Sequence, residues 1–185
     1  NFERDQLGDR ILMKFKMRSK KRDLTEWSDM VTRVQKIPDT IKIGIVGKYF
    51  ESGAFTLADS YLSVIEAVKH ASWELKRKPI IEWLNAQDYE KNPVALEQLN
   101  QYSGIIVPGG FGARGIEGKI KAIQYCRENK IPYLGLCYGL QLAVIEFSRN
   151  VCGLKGAHTM EVDPKTPYPV INTMTDQLAN IKEKH

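Results

Sequence analysis

The sequence predicts an α/β fold in which a mostly parallel sheet is covered by helices on both faces. From Thr40 to Asn172, short strand-like runs alternate with helix-like stripes, and only short connections separate them. The run Gly104–Val107 is continuously apolar, which is typical of a strand that is buried on both faces. In sheets of this kind ligands bind beyond the carboxyl ends of the strands, so functional residues are expected in the loops there.

The individual elements are predicted from the spacing of their apolar residues. Strands are expected where apolar residues alternate or run together: Thr40–Val46, Pro79–Leu84, Gly104–Val107, Ile131–Leu136 and a further one at Pro169–Asn172. Helices are expected where apolar residues recur every three or four positions: Leu24–Val34, Leu57–Arg77, Pro93–Asn100, Lys119–Asn129 and Tyr138–Asn150. Two loops at carboxyl ends of strands stand out, namely Gly109–Gly118 and Gly135–Gly139.

Composition excludes several classes of protein. Hydrophobic residues make up 43% and charged residues 26% of the chain, which argues against intrinsic disorder and a collagenous chain. The three cysteines are an odd number without CxxC spacing, so no disulfide framework or structural zinc site is expected, and a reducing, cytoplasmic compartment is preferred. The longest uncharged apolar stretch, Ile131–Ile145, is too short and too interrupted for a membrane span, and no signal peptide is recognised.

The net charge of the chain is concentrated in its first residues. The 185-residue chain carries +5, and residues 1–22 alone contain eight basic and three acidic side chains. A basic arm could contact nucleic acid or a nucleotide. However, no basic stripe with interleaved aromatic residues continues into the rest of the chain, so a solvated linker or the remnant of a neighbouring domain is the preferred interpretation. We therefore expect no nucleic-acid partner.

The turn Gly135–Gly139 has the pattern of a nucleophile elbow. Glycines two positions before and after Cys137 allow a sharp, strained connection from a strand to a helix, as in the GxSxG elbow of hydrolases. Such a turn exposes the thiol at the top of the sheet, where the positive dipole end of the following helix favours the thiolate. A buried structural cysteine is the alternative, and it is the preferred interpretation for Cys126 and Cys152.

Acyl transfer at a thiolate also needs donors for the developing oxyanion, and a base. The backbone N–H of Tyr138 and the backbone of Gly109–Gly110 are the candidate donors. The glycine-rich loop is not a phosphate loop, because the GxxxxGK[ST] pattern is absent. The histidines have no carboxylate at a spacing typical of a base and its orienting partner, so each is interpreted as structural or exposed: His70, His158 and His185.

Several segments of the sequence resemble the glutamine amidotransferase domain of CTP synthases. The segment Pro108–Gly118 (PGGFGARGIEG) resembles the oxyanion loop of that family, and Arg127–Ala143 (RENKIPYLGLCYGLQLA) resembles its nucleophile region. Three shorter segments match the opening of the same domain: Gly47–Tyr49, Asp59–Ser63 and Glu66–His70. The resemblance implies a class I glutamine amidotransferase-like, flavodoxin-like domain at residues 40–185 that lacks its C-terminal part. Residues 1–39 would then be a basic arm or linker, which includes the tail of the synthetase domain.

The resemblance implies a specific reaction. Cys137 would attack the side-chain amide of L-glutamine, and the thioester would hydrolyse to glutamate. The ammonia would pass to the synthetase domain of the same chain, where UTP, activated by ATP, would be aminated to CTP. The full enzyme would use ATP and Mg, with GTP as an activator, and would form a homo-oligomer (a tetramer in the family). No cofactor is expected on the present chain.

The resemblance also assigns roles to particular residues. Cys137 would be the nucleophile, and Gly110 and Tyr138 would supply the oxyanion N–H donors; no metal ligand is implied. The residues that would contact glutamine are Gly110, Phe111, Tyr138, Gly139, Leu140, Gln141 and Glu161. The family's catalytic His-x-Glu pair, and the arginine that binds the glutamine carboxylate, have no counterpart up to His185, which is not assigned as the catalytic histidine.

Two other functions are compatible with the same pattern. One is a thiol hydrolase of the same fold, of the peptidase or deglycase type. Those enzymes usually carry a histidine directly after the cysteine, whereas Tyr138 follows here. The other is a regulatory or assembly module that keeps the fold without the base. Glutamine hydrolysis by the full-length chain would separate a glutaminase from such a module.

Overall fold

The computed structural model describes residues 2, 4–18, 23–47, 61–110, 112–172 and 174. The chain divides into two compact units, Asn1–Lys36 and Ile37–His185. The first unit contains helices α1 (Leu7–Lys14) and α2 (Thr25–Gln35), and neither has a buried residue. The amphipathic helix predicted around Trp27 is confirmed, and its apolar side chains are exposed or half-buried, with Trp27 at 66%.

A four-stranded sheet forms the centre of the second unit. Its strands, all paired in parallel in the order β2-β1-β3-β4, are β1 (Thr40–Gly47), β2 (Lys78–Asn85), β3 (Gly104–Val107) and β4 (Tyr133–Gly135). This order begins the doubly wound arrangement found in flavodoxin-like folds. The predicted parallel sheet is confirmed. Strand β4 is shorter than predicted, because Pro132 has no N–H to donate to the sheet and the ladder begins after it.

Helices connect the strands. They are α3 (Leu62–Glu74) after β1, α4 (Ala86–Lys91) and a 3-10 helix (Pro93–Gln101) after β2, α5 (Ile116–Glu128) after β3, and α6 (Tyr138–Asn150) after β4. Helix α4 was not expected, since its six residues are too few to show a helical stripe. The side chain of Asn85 starts it by accepting a hydrogen bond from the N–H of Gln87 at 3.1 Å. The first part of the helix expected at Leu57–Arg77 lies outside the described residues.

The helices lie on both faces of the sheet, as predicted. The connection from β1 to β2 crosses the sheet in one direction, whereas the connections from β2 to β3 and from β3 to β4 cross it in the other. Because such crossovers are right-handed, α3 lies on one face of the sheet and the later helices lie on the other. Helices α4, α5 and α6 share the other face and contact one another in that order. The hydrophobic core lies beneath them and includes Val46, Leu84, Tyr89, Leu99, Ile105, Val107, Ile123, Leu142 and Ile145.

A second, two-stranded sheet follows α6. Strand β5 (His158–Thr159) pairs in parallel with β6 (Pro169–Ile171), so the further strand expected at Pro169–Asn172 is present but does not join the main sheet. The hydroxyl of Thr166 closes the connection by donating to the carbonyl of Gly156 at 2.7 Å. Across the described part of the chain, no helix combines the length and apolar character that crossing a membrane requires.

Candidate active site

Cys137 lies in the turn between β4 and α6 and has an unusual backbone conformation. Its φ of 51° and ψ of −107° fall in a region that residues other than glycine seldom adopt. Such a conformation costs about 1–3 kcal/mol and persists only where the surrounding structure enforces it. The cysteine is exposed at the N-terminal end of α6. The structure thus places this thiol where the elbow pattern of the sequence expects a nucleophile.

The two glycines of the elbow are required by close backbone packing. A methyl group at Gly135 would lie 2.6 Å from the carbonyl carbon of Gly139. A methyl group at Gly139 would overlap the carbonyl oxygen of Val107 and lie 2.9 Å from its carbonyl carbon. Strand β4, the first turn of α6 and the end of β3 therefore contact one another through their backbones. This packing is what enforces the conformation of Cys137.

Hydrogen bonds complete the elbow. The N–H of Leu136 donates to the carbonyl of Val107 at 3.0 Å, and the N–H of Gly139 donates to that of Leu136 at 2.9 Å. From β4, the hydroxyl of Tyr133 donates to the carbonyl of Gly139 at 2.8 Å. Within the described residues, the N–H of Tyr138 has no backbone acceptor, as is general for the first N–H groups of a helix. That N–H is available to a ligand beside the thiol.

The glycine-rich loop after β3 approaches the thiol. A methyl group at Gly109 would lie 3.4 Å from Cβ and 3.8 Å from Sγ of Cys137, so the backbone of the loop lies close to the cysteine side chain. At Gly110 the same position faces open space, with no atom within 4 Å. The hydroxyl of Tyr61 donates to the carbonyl of Gly109 at 3.3 Å. Phe111 lies outside the described residues.

The remaining glutamine-contact candidates lie on two elements. Leu140 is exposed and Gln141 is half-buried in the first turn of α6, whereas Glu161 is exposed just after β5. Burial raises the pKa of Tyr138 to about 12, and the negative charge of Glu161 adds to this effect. Glu161 lies 23 positions after Tyr138 in the sequence, so this electrostatic effect arises from the fold.

The side chain of Tyr138 is buried beside the elbow. It is 3% exposed, and its hydroxyl has no hydrogen-bond partner among the described residues. The ammonium of Lys119, itself 3% exposed, lies 5.9 Å from the centre of the tyrosine ring. A buried hydroxyl without a partner is unfavourable, so the tyrosine is held there by the packing of its ring.

The described histidines do not form a base beside the thiol. His70 is exposed on α3, where its ring stacks near Trp73 with centroids 5.6 Å apart. His158 accepts at Nδ1 from the N–H of Thr159 at 2.8 Å, and burial lowers its pKa. Neither histidine has a carboxylate hydrogen-bond partner among the described residues. His185 lies outside them.

The other cysteines differ from each other. Cys126 is buried in α5, where burial raises the pKa of its thiol to about 12, as expected for a core cysteine. Cys152 is exposed, so the interpretation of this residue as buried was wrong. The reason is its position beyond the end of α6, where the chain has left the core.

Two arginines that the sequence analysis did not single out connect the elements around the site. Arg149 of α6 donates to both carboxylate oxygens of Glu117, at 2.9 and 3.0 Å, and to the carbonyl of Ala157 at 2.6 Å. It therefore joins α6 to the start of α5 and to the segment that leads to Glu161. Arg127 donates to both carboxylate oxygens of Glu146, which is 1% exposed, and joins α5 to α6.

The fold and this geometry define a class of protein: an α/β protein with an exposed cysteine at a strained strand-to-helix elbow that faces a glycine-rich backbone loop. Such an arrangement suits acyl transfer through a thioester. Residues 56–184 match the family model described as Glutamine amidotransferase class-I, and the chain belongs to this family.

The chain is also similar to individual proteins of this family. The chain is 50% identical to the CTP synthase of Pyrococcus furiosus over 175 residues, which is 95% of this chain and 31% of that protein. It is 54% identical to the CTP synthase of Thermococcus kodakarensis over 155 residues, covering 84% of this chain and 28% of that protein. The chain therefore spans about a third of the length of these relatives.

A solved structure shows the same fold. The glutaminase domain of Trypanosoma brucei CTPS, with bound acivicin, matches with a TM-score of 0.68 and 36% sequence identity. The match covers 75% of this chain and 52% of that chain. The predicted fold, a parallel sheet with helices on both faces of the type found in class I glutamine amidotransferases, is thereby confirmed.

Proposed function

We propose that this chain is the glutamine-hydrolysing part of a CTP synthase. The observation that carries the proposal is the strained elbow at Cys137, packed against the backbone of Gly109. Membership of the class I glutamine amidotransferase family and the identity of about half to CTP synthases support the same conclusion. The similarity to a glutaminase domain with bound acivicin supports a glutaminase site in this chain.

In this proposal the Cys137 thiolate attacks the side-chain amide carbon of glutamine. Negative charge develops on the amide oxygen, and the N–H groups of Tyr138 and Gly110 stabilise it. Collapse of the tetrahedral intermediate releases ammonia once its nitrogen has been protonated, and a thioester remains. A water molecule then attacks the thioester, releases glutamate and regenerates the thiol.

The protonation steps need a general acid–base group. The described residues place no histidine–carboxylate pair beside Cys137. We therefore propose that the pair comes from a part of the protein beyond the described residues, as the resemblance to the family implies. The CTP synthases that this chain resembles are about three times as long as the matched segment.

The substrate would be held from both sides of the thiol. We propose that Glu161 binds the ammonium of glutamine through a charge-assisted hydrogen bond. Gln141 and Leu140, in the first turn of α6, would contact the substrate from the other side, together with Gly139. Phe111 belongs to the same proposed set. Arg149 supports this arrangement, because it fixes the segment that carries Glu161 against α6.

The whole protein would couple this reaction to nucleotide synthesis. We propose that ammonia is delivered to a synthetase domain of the same chain that uses ATP and Mg to aminate UTP, with GTP as activator, in a homotetramer. Residues 1–39 would link that domain to the glutaminase domain at residues 40–185. We also propose a cytoplasmic location, which the three free cysteines support.

The test replaces the nucleophile in the longer protein that contains this sequence. Cys137→Ala should reduce CTP formation from glutamine at least about a thousandfold, because removal of a catalytic nucleophile abolishes the covalent route. CTP formation from added ammonia should be retained, since ammonia bypasses the thiol. Cys152→Ala is the matched control, because it also removes an exposed thiol, and both activities should be unchanged. Equal loss of both activities in Cys137→Ala, or no loss of either, would contradict the proposal.

A further inference from the structure

Tyr133 makes a contact that connects the two sides of the elbow. It lies in β4, four residues before Cys137, and its ring packs against the hydrophobic core. Its hydroxyl donates to the carbonyl of Gly139, two residues after Cys137, at 2.8 Å. The hydrogen bond therefore closes a loop of chain that has the nucleophile near its middle.

The elbow needs such contacts because its backbone is strained. The conformation of Cys137 is unfavourable by itself and relaxes unless its neighbours prevent it. At the two glycines described above, the first turn of α6 is in close contact with the strands. Close packing by itself prevents only movements that would bring these backbones still nearer. The Tyr133 hydrogen bond resists the opposite movement, in which Gly139 turns away from β4. It is thus a side-chain contact that adds to the backbone hydrogen bonds of the turn in holding the elbow closed.

The hydroxyl of Tyr133 keeps its proton under all ordinary conditions. Burial raises the pKa of Tyr133. The hydroxyl is therefore a permanent donor.

We propose that Tyr133 is a positioning residue for the nucleophile. Its hydroxyl, bonded to the carbonyl of Gly139, holds the elbow in the conformation that places Cys137, exposed, at the N-terminal end of α6. The proposal concerns the geometry of the thiol, and only its kinetic part rests on the proposed glutaminase function. When the hydrogen bond is absent, a fraction of molecules adopts a relaxed elbow and reacts slowly.

The size of the effect follows from the strength of one hydrogen bond. A hydrogen bond of typical net strength changes an equilibrium by about fivefold. The reaction rate is proportional to the fraction of molecules in the competent conformation. The proposal takes the strained elbow to be populated to about three quarters or less in the unsubstituted protein, so the reaction rates should fall by about two- to fivefold. Binding of glutamine uses several other contacts, so KM should change less than kcat.

The experiment uses Tyr133→Phe in the longer protein, because this change removes the hydroxyl and keeps the ring. The three cysteines serve as reporters during brief iodoacetamide treatment: Cys137 for the site, exposed Cys152 for ordinary reactivity and buried Cys126 for the fold. We expect the ratio of labelling at Cys137 to labelling at Cys152 to fall by about two- to fivefold, with Cys126 still protected. The kcat for glutamine should fall by a similar factor while the activity with ammonia is unchanged.

The matched control is Tyr125→Phe. The hydroxyl of Tyr125 accepts a hydrogen bond from the side-chain amide of Asn100 at 2.7 Å, so the control also removes one tyrosine hydrogen bond from the same unit. It should leave the labelling ratio unchanged. An unchanged ratio in Tyr133→Phe, an equal fall in Tyr125→Phe, or labelling of Cys126 in Tyr133→Phe would each overturn the proposal. If the unsubstituted protein used ammonia but not glutamine, the proposed function would fail, while the labelling ratio would still test the role of Tyr133.

Discussion

The elbow can be tested by adding one methyl group to it. At Gly139, a Cβ atom would overlap the carbonyl oxygen of Val107, and it would lie 2.9 Å from the carbonyl carbon and 3.1 Å from the Cβ atom of that residue. The carbonyl oxygen and carbon are backbone atoms of a fully buried residue, so they cannot rotate away. Overpacking of a core costs about 1–3 kcal/mol, and this site is at the upper end because the first turn of α6 has to move away from β3.

The expected consequence of Gly139→Ala is a less stable domain with a displaced thiol. A loss of about 3 kcal/mol corresponds to a fall of about 6–12 °C in the unfolding temperature of a domain of this size. The temperature at which Cys126 becomes reactive towards iodoacetamide measures this change, since Cys126 is buried in the folded unit. Labelling of Cys137 at room temperature should also slow relative to Cys152. Gly110→Ala is the control for stability, because its added methyl group meets no atom within 4 Å. Equal unfolding temperatures for the two variants would refute this account of the elbow.

Two further predictions concern buried polar groups. Tyr138→Phe should leave the unfolding temperature unchanged or raise it by a few degrees, because it removes a buried hydroxyl that has no partner among the described residues. A clear decrease in the unfolding temperature would show that the hydroxyl is paired in solution. Arg127→Met should destabilise the domain by about 2 kcal/mol or more, since Glu146 would be left buried with Asn150 as its remaining described donor. The double variant Arg127→Met, Glu146→Leu should recover most of that loss, and failure to recover would mean that Arg127 acts through other contacts.

The sequence predicted those helices and strands that are determined by residues close together in the chain. Helix α6 begins and ends as predicted at Tyr138 and Asn150, because an apolar stripe follows directly on the elbow pattern. Strand β3 was predicted to the residue, since a continuous apolar run between polar and glycine-rich segments leaves little ambiguity. Spacing also placed Cys137 at a strand-to-helix turn, because two glycines around a nucleophile have few other uses.

Contacts between distant parts of the chain were not predictable. Arg149 is one of many charged residues in the sequence, and only the fold shows that it joins Glu117 to Ala157. Tyr133 reads as an ordinary strand residue, because its hydrogen bond depends on how sharply the chain turns after it. Cys152 was misjudged for a related reason: its sequence neighbours do not reveal that the chain leaves the core there.

The carbonyl of Val107 links the elbow to the glycine-rich loop. This single peptide group accepts the N–H of Leu136 and also abuts Gly139, while the chain continues from the same residue into the glycine-rich loop beside Cys137. The elbow that carries the thiol and the glycine-rich loop are therefore both attached to the peptide group of Val107 and should move as one unit. A conformational change that separated the thiol from the loop would have to break these contacts at the end of β3. Regulation of the site is therefore expected to act through groups that are not attached to this peptide group.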